Sequence, residues 1–306
     1  MNLEPKNQLK LFGLENEYNN LISIYNDHKL PNKILLSGQK GSGKCTLAYH
    51  LINYILSIDE DFSYDLKNMT INNENKSFKL TINQTNPNFY LIDVPEDKKS
   101  IDISLIRDLI TKINKSSFNN KPRFVLIDNI EYLNNNSINA LLKVLEEPNF
   151  NIYFILIHNN KKIYPTIKSR CLDFKISLSH KRSINIINEL LNENIKDLLN
   201  KDLICHYFTP GDYYNLIKFS TEHNLDIKRS DLKMLLSLLI TKGYYKKDIS
   251  IKNLLYNMIE FFLSTQISLN NCNFYNFFLK KIYNTKLFNL DEEILLTEFN
   301  YKILNG

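Results

Sequence analysis

The sequence predicts an α/β domain on a five-stranded parallel sheet, followed by an all-helical remainder, and three observations carry that reading. Short β-branched or aromatic runs alternate with amphipathic stretches through the first half of the chain, the pattern of strands wrapped by helices. A glycine-rich segment joins the first of those runs to the first amphipathic stretch. Strand signals fade after about Leu178, and helical patterns replace them.

The candidate strands are Lys33 to Ser37, Phe89 to Asp93, Arg123 to Asp128, Ile152 to Ile157 and Leu172 to Ile176. Several are apolar throughout, as a sheet covered on both faces requires. Leu47, Ala48, Leu51, Ile52, Ile55 and Leu56 share one helical face. Ile138, Leu141, Leu142 and Leu145 do the same in a helix capped by Asn135 or Asn136 and stopped by Pro148. A third helix runs from Ile101 to Asn114, with Leu105, Ile106, Leu109, Ile110 and Ile113 at that spacing. Asp59 to Asn88 is polar and Asn-rich, and it reads as a surface insertion. Thr209-Pro210-Gly211-Asp212 is among the few turn signals in the helical remainder.

At 306 residues the chain has room for two or three domains. Its 43% hydrophobic and 23% charged residues are those of an ordinary soluble protein. Met1 to Lys10 lacks the apolar core of a signal peptide, and no window approaches the roughly 18 apolar residues of a membrane span. A cytoplasmic protein without membrane contact is expected. Cys45, Cys171, Cys205 and Cys272 are isolated, with no C-x-x-C pair, so neither zinc nor a dithiol couple is expected. A net charge of +5 permits a nucleic-acid partner but falls short of a dedicated DNA-binding domain.

The sharpest motif is Gly38-Gln39-Lys40-Gly41-Ser42-Gly43-Lys44-Cys45-Thr46, placed between a strand and a helix as a phosphate-binding loop must be. Gly38, Gly41 and Gly43 let the backbone, with Ser42, fold around an anion. Amides at the helix N-terminus point at that anion, and Lys44 supplies a cation. The position after the lysine requires Ser or Thr, whose hydroxyl oxygen binds magnesium, and here it is Cys45. A thiol suits soft metals rather than a hard cation. Thr46 has a hydroxyl, but one residue further along a helix points about 100° away.

The run Phe124-Val125-Leu126-Ile127-Asp128 is a buried strand ending in a carboxylate. Asp128 either closes the strand or faces a magnesium ion through water. In ATPases of the AAA+ type a glutamate usually follows and activates the attacking water. Here Asn129 stands in that place, and an amide cannot accept the proton. Glu131, two residues on, is the one nearby substitute.

Asn139-Ala140-Leu141-Leu142-Lys143-Val144-Leu145-Glu146-Glu147-Pro148, an apolar strand, and then Ser169-Arg170-Cys171 resemble the clamp-loader subunits of bacterial DNA polymerase III. The resemblance covers roughly Leu11 to Ile176 and includes Ile106-Arg107. It implies an AAA+ domain over residues 1–178, a helical lid over 179–226 and a helical collar over 227–306. It also implies that Arg170 is an arginine finger reaching into a neighbouring subunit's ATP site. The partners implied are gamma/tau and delta subunits, with the sliding clamp and primed DNA reached through the complex.

The hydrolysing gamma/tau members keep the hydroxyl and the glutamate that Cys45 and Asn129 replace. The chain is therefore expected to lend a finger and hydrolyse nothing, with ATP or ADP as a ligand left open. A gamma/tau-type ATPase and a stand-alone P-loop ATPase remain the alternatives. Many relatives carry a four-cysteine zinc module after the first helix, which Asp59 to Asn88 lacks. His158 lies near the family's nucleotide-sensing position or is a satisfied strand-end histidine. Phe274, Tyr275, Phe277, Phe278 and Tyr283 either stack on DNA bases or pack within helices and subunit contacts.

Overall fold

The computed structural model describes residues 4–304 apart from 96–97, 99, 116–118, 148–150, 160–162, 207, 267–271 and 289, with backbone alone at 266, 272–274, 286 and 287. Pro148 and the side chain of Phe274 therefore lie outside the described residues. The chain divides into two compact units, Met1–Leu178 and Ser179–Gly306. Among the described residues no helix is long and apolar enough to cross a membrane.

In the first unit α1 (Glu15–Asn26) and β1 (Lys33–Gly38) lead into α2 (Lys44–Leu56) and α3 (Lys76–Ile82). Then follow β2 (Phe89–Ile92), α4 (Ile103–Ile113), β3 (Arg123–Ile127), α5 (Asn135–Glu146), β4 (Ile152–His158), α6 (Pro165–Lys168) and β5 (Leu172–Ile176). Each strand lies within one residue of its sequence expectation. All five are parallel, in the order β2, β3, β4, β1, β5. This is the five-stranded parallel sheet that the sequence predicts.

Alternation along the pleat, with a core on each side, explains why the central strands are apolar on both faces. Ile34, Leu36, Phe124, Leu126, Ile155 and Ile157 face one core, which α1 closes with Tyr18 and Leu21 and α2 with Leu47, Leu51 and Ile55. Leu35, Val125, Ile127, Phe154 and Leu156 face the other, closed by Ile106 and Leu109 of α4 and by Ile138, Leu141 and Leu145 of α5. Fully burying one such side chain contributes about 1.5–3 kcal/mol, so both layers are needed to hold the sheet.

The second unit contains α7 (His180–Leu191), α8 (Ile195–Leu198), α9 (Pro210–Glu222), α10 (Leu232–Thr241), α11 (Ile249–Gln266), α12 (Cys272–Phe288) and α13 (Glu292–Phe299). One apolar cluster runs through it, from Ile187 past Tyr213, Leu236 and Leu255 to Phe278 and Leu304. Phe278 is fully buried there, whereas Phe277 and Tyr283 are 51% and 63% exposed.

Three local expectations change. The cap of α5 is Asn134, whose side chain accepts from Ser137 N at 2.9 Å, and Asn135 is the first helical residue. Thr209 to Asp212 is a helix start: Thr209 and Asp212 form a reciprocal capping box, with Pro210 at the first position of α9. The insertion at 59–88 is not merely a surface loop. It contains α3 and buries Tyr64, Ile71, Asn75, Ser77 and Phe78.

A polar clamp fixes that insertion to α2. Asn75, fully buried, accepts from Phe78 N at 2.7 Å as the cap of α3 and from Asn53 Nδ2 at 2.9 Å. It donates to Glu60 Oε2 at 2.9 Å and to the Phe62 carbonyl at 2.8 Å. Glu60 also accepts from Ser77 N and Oγ and from Lys121 Nζ at 3.0 Å. Burial pushes the Glu60 carboxyl up, but its donors Ser77 and Lys121 outweigh that and hold it below the usual glutamate range. Replacing Asn75 with Ala strands several of these groups at once. Each buried group left unpaired costs about 1–3 kcal/mol. Urea unfolding of Asn75→Ala is expected to show a loss of roughly 2 kcal/mol or more. A change below about 0.5 kcal/mol contradicts the clamp.

Candidate functional site

The glycine loop leaves the end of β1 and enters α2 as expected. Gly38 is required by close approach: a Cβ there would lie 2.2 Å from the Ile176 carbonyl oxygen of β5. Gly41 and Gly43 have φ of 79° and 88°, in the left-handed region that favours glycine, and Gly43 caps α2. Ser42 is buried within the loop, while Cys45 and Thr46 occupy the first turn of α2 and are partly buried.

Lys44 is 3% exposed. Its ammonium, which has three N–H bonds, donates to the Gly38 carbonyl at 3.0 Å, to the Gln39 carbonyl at 2.5 Å and to Ser42 Oγ at 3.4 Å. An incoming phosphate has to displace these acceptors. Burial lowers the Lys44 pKa to about 8 against the opposing charges of Asp128 and Glu131, so the cation persists at neutral pH.

The two positions that would hold magnesium, Cys45 and Asp128, are neighbours. The Cys45 thiol lies beside the Asp128 carboxylate. Burial and the charge of Asp128 push that thiol well above its ordinary pKa, so it stays protonated. A neutral thiol is a poor ligand for a hard cation. The donor set at this point does not fit magnesium. Asp128 itself is pushed up to about 6, first by burial and then by the charge of Asp93, with the Cys45 thiol, the Asn129 amide and Lys44 opposing.

Asp93 had no role in the sequence reading beyond ending its strand. Ile92 pairs with Ile127 in register, so Asp93 and Asp128 leave adjacent strands side by side. The repeated Leu-Ile-Asp at 91–93 and 126–128 was the available signal. Asn129 adopts φ 57° and ties this edge together: its amide N donates to Asp128 Oδ1 at 2.8 Å and its Nδ2 to Asp93 Oδ1 at 2.7 Å. Asn159, just past β4, donates from Nδ2 to Asn129 Oδ1 at 2.8 Å. Glu131 follows in a short turn, where its Oε2 accepts from Asn159 N at 3.4 Å. Asn159 therefore reaches the site. His158 is buried, and its Nε2 has no hydrogen-bond partner among the described residues.

Arg170 is placed elsewhere in the unit, in the turn between α6 and β5. Its side chain is 32% exposed. Nε donates to Glu146 Oε1 at 3.0 Å, Nη2 donates to the same oxygen, and Nη1 donates to the Thr166 carbonyl at 2.9 Å. Glu146 is the last residue of α5, so the two halves of the recognised sequence pair are in contact.

Residues 13–180, more than half of the chain, match the family model described as DNA polymerase III, delta subunit. A DNA polymerase III subunit delta' from Buchnera aphidicola (Schizaphis graminum) is 29% identical over 294 residues, covering 89% of this chain and 84% of that protein. The DNA polymerase III subunit gamma of the same organism is 32% identical over 193 residues, covering 62% of this chain and half of that protein. A solved gamma subunit-related protein from Thermotoga maritima shares the fold, with a TM-score of 0.50 at 17% identity over 92% of this chain and 97% of that one. With the glycine loop, the paired strand-end aspartates and the Glu146–Arg170 contact in place, the chain belongs to the DNA polymerase III delta subunit family, together with its delta-prime relatives.

Proposed function

We propose that this chain is the delta-prime-type subunit of a clamp loader, lending Arg170 to a neighbour's ATP site and hydrolysing no ATP itself. The observation that carries the reading is Cys45 in the first turn of α2, its thiol held protonated by burial and by the charge of Asp128, which leaves the metal position without a hard oxygen donor from α2. Asn129 in the place of the base supports it, because its amide is committed to Asp93 and Asn159 and accepts no proton from water. ATP or ADP, where bound by the Gly38–Lys44 loop, is then a ligand and not a substrate.

In this reading gamma/tau subunits hold the competent sites, and a delta subunit joins them to act on the sliding clamp at primed DNA. The helical unit at 179–306 supplies the lid and the collar. Arg170 enters the neighbouring site with the N–H bonds left over from Glu146 and Thr166. A planar guanidinium there neutralises charge on the phosphoryl group in transfer. The gamma relative favours a second reading, in which this chain is itself a gamma/tau-type ATPase. Glu131, close enough to support the Lys44 charge, is the base that reading needs.

Arginine fingers raise turnover by roughly 10³ to 10⁵ at the site they enter. A reconstituted complex whose one competent ATPase adjoins this chain should therefore lose nearly all turnover on Arg170→Ala, with assembly intact on gel filtration. Unchanged turnover rejects the finger. Asp128 supplies a second discrimination. The unfolded carboxyl loses its proton near 3.8, whereas the folded one keeps it to about 6, so stability falls as pH rises across that window. Asp128→Asn removes this cost. It is expected to raise stability at pH 7 by on the order of 1–3 kcal/mol, to flatten the profile between about pH 4 and 6, and to leave turnover of the complex unchanged. A metal-binding Asp128 predicts lost activity instead.

A further inference from the structure

We propose that Glu146 is a positioning residue for Arg170, an inference that rests on the finger reading above. Arginine has five N–H bonds on a plane. Three are engaged within the chain: Nε and Nη2 on Glu146 Oε1, and Nη1 on the Thr166 carbonyl. Two remain without a partner among the described residues, on a side chain 32% exposed. The guanidinium is thus fixed in its plane while keeping donors for an outside anion.

Both ends of this arrangement are anchored. Ile167, 1% exposed, and the partly buried Cys171 bracket Arg170 and pack into the core between the sheet and α4–α5. Tyr164, just before α6, donates to Asn135 Oδ1 at 2.8 Å and so ties this segment to the start of α5. Glu146 ends the same helix, whose Leu141 and Leu145 are buried in that core. The distance between the two charged groups is therefore set by the packed end of α5 and by a short turn whose flanking residues Ile167 and Cys171 are anchored in the core.

Stability alone gives this contact little purpose. Glu146 is 55% exposed, and ion pairs at such positions add little to folding. A finger gains more from it. A free arginine side chain samples many rotamers, and holding it near its working orientation removes an ordering cost from the neighbour's transition state. The Glu-Glu-Pro and Ser-Arg-Cys segments, separate as sequence signatures, then form one device.

The test uses the reconstituted complex whose single competent ATPase adjoins this chain. Glu146→Ala should lower kcat about 10- to 100-fold, leave KM for ATP unchanged, and leave the melting temperature of the isolated chain unchanged. Glu146→Gln, which keeps an acceptor oxygen but no charge, should fall between wild type and Glu146→Ala. In an Arg170→Ala background, Glu146→Ala should cause no further loss. Wild-type or faster turnover for Glu146→Ala, beside a slow Arg170→Ala complex, overturns the positioning role and spares the finger. An additive loss in the double variant overturns it too, since Glu146 then acts by another route. An Arg170→Ala complex with normal turnover removes the finger and this proposal together.

Discussion

Helices bury both faces of the central strands of the parallel sheet, so residues within those strands are out of reach of a ligand. What remains for chemistry is the strand ends, and parallel strands deliver them to one edge. Gly38 leaves β1 there, Asp93 and Asp128 leave β2 and β3 side by side, and Asn159 follows β4. The order β2, β3, β4, β1, β5 places the glycine loop between the strand-end carboxylates and β5, against whose Ile176 carbonyl Gly38 packs. Position along the sheet thus explains why residues far apart in sequence form one cluster. It also explains why that cluster is dry enough to lower the Lys44 pKa and raise that of Asp128.

Within this frame a single atom changes the chemistry. Sulfur at Cys45 stands beside Asp128 where a hydroxyl would, but it is a poor ligand for magnesium. Lys44 commits its donors to the loop, and Asn129 commits its amide to Asp93 and Asn159. Within this edge the side chains of Asp93, Asn129 and Asn159 are tied to one another. The charge left available lies elsewhere, on Arg170, which presents two N–H bonds beyond those held by Glu146 and Thr166.

Much of this was legible in the residues. Short β-branched or aromatic runs located all five strands, and those at the centre of the sheet are the most continuously apolar because helices cover both their faces. Cys45, Asn129 and Arg170 were singled out by position in a motif. The partners of those residues were not legible, since Asp93, Asn159 and Glu146 reach them only through register and helix packing. Asn134 replaced the expected caps of α5 because adjacent asparagines are equivalent until one is seen to accept from Ser137. The insertion at 59–88 looked like a solvated loop because its anchors are Asn, Ser and Glu, residue types that hydropathy counts as surface although Asn75 is fully buried.

The central claim is that this chain's own loop drives no turnover. Lys44→Met, a replacement of similar length without the charge, removes the buried cation of that loop. Placed in this chain alone within a complete clamp loader, it should leave the steady-state ATPase at the wild-type value. A loss equal to one catalytic site's share contradicts the account and makes the chain a working ATPase.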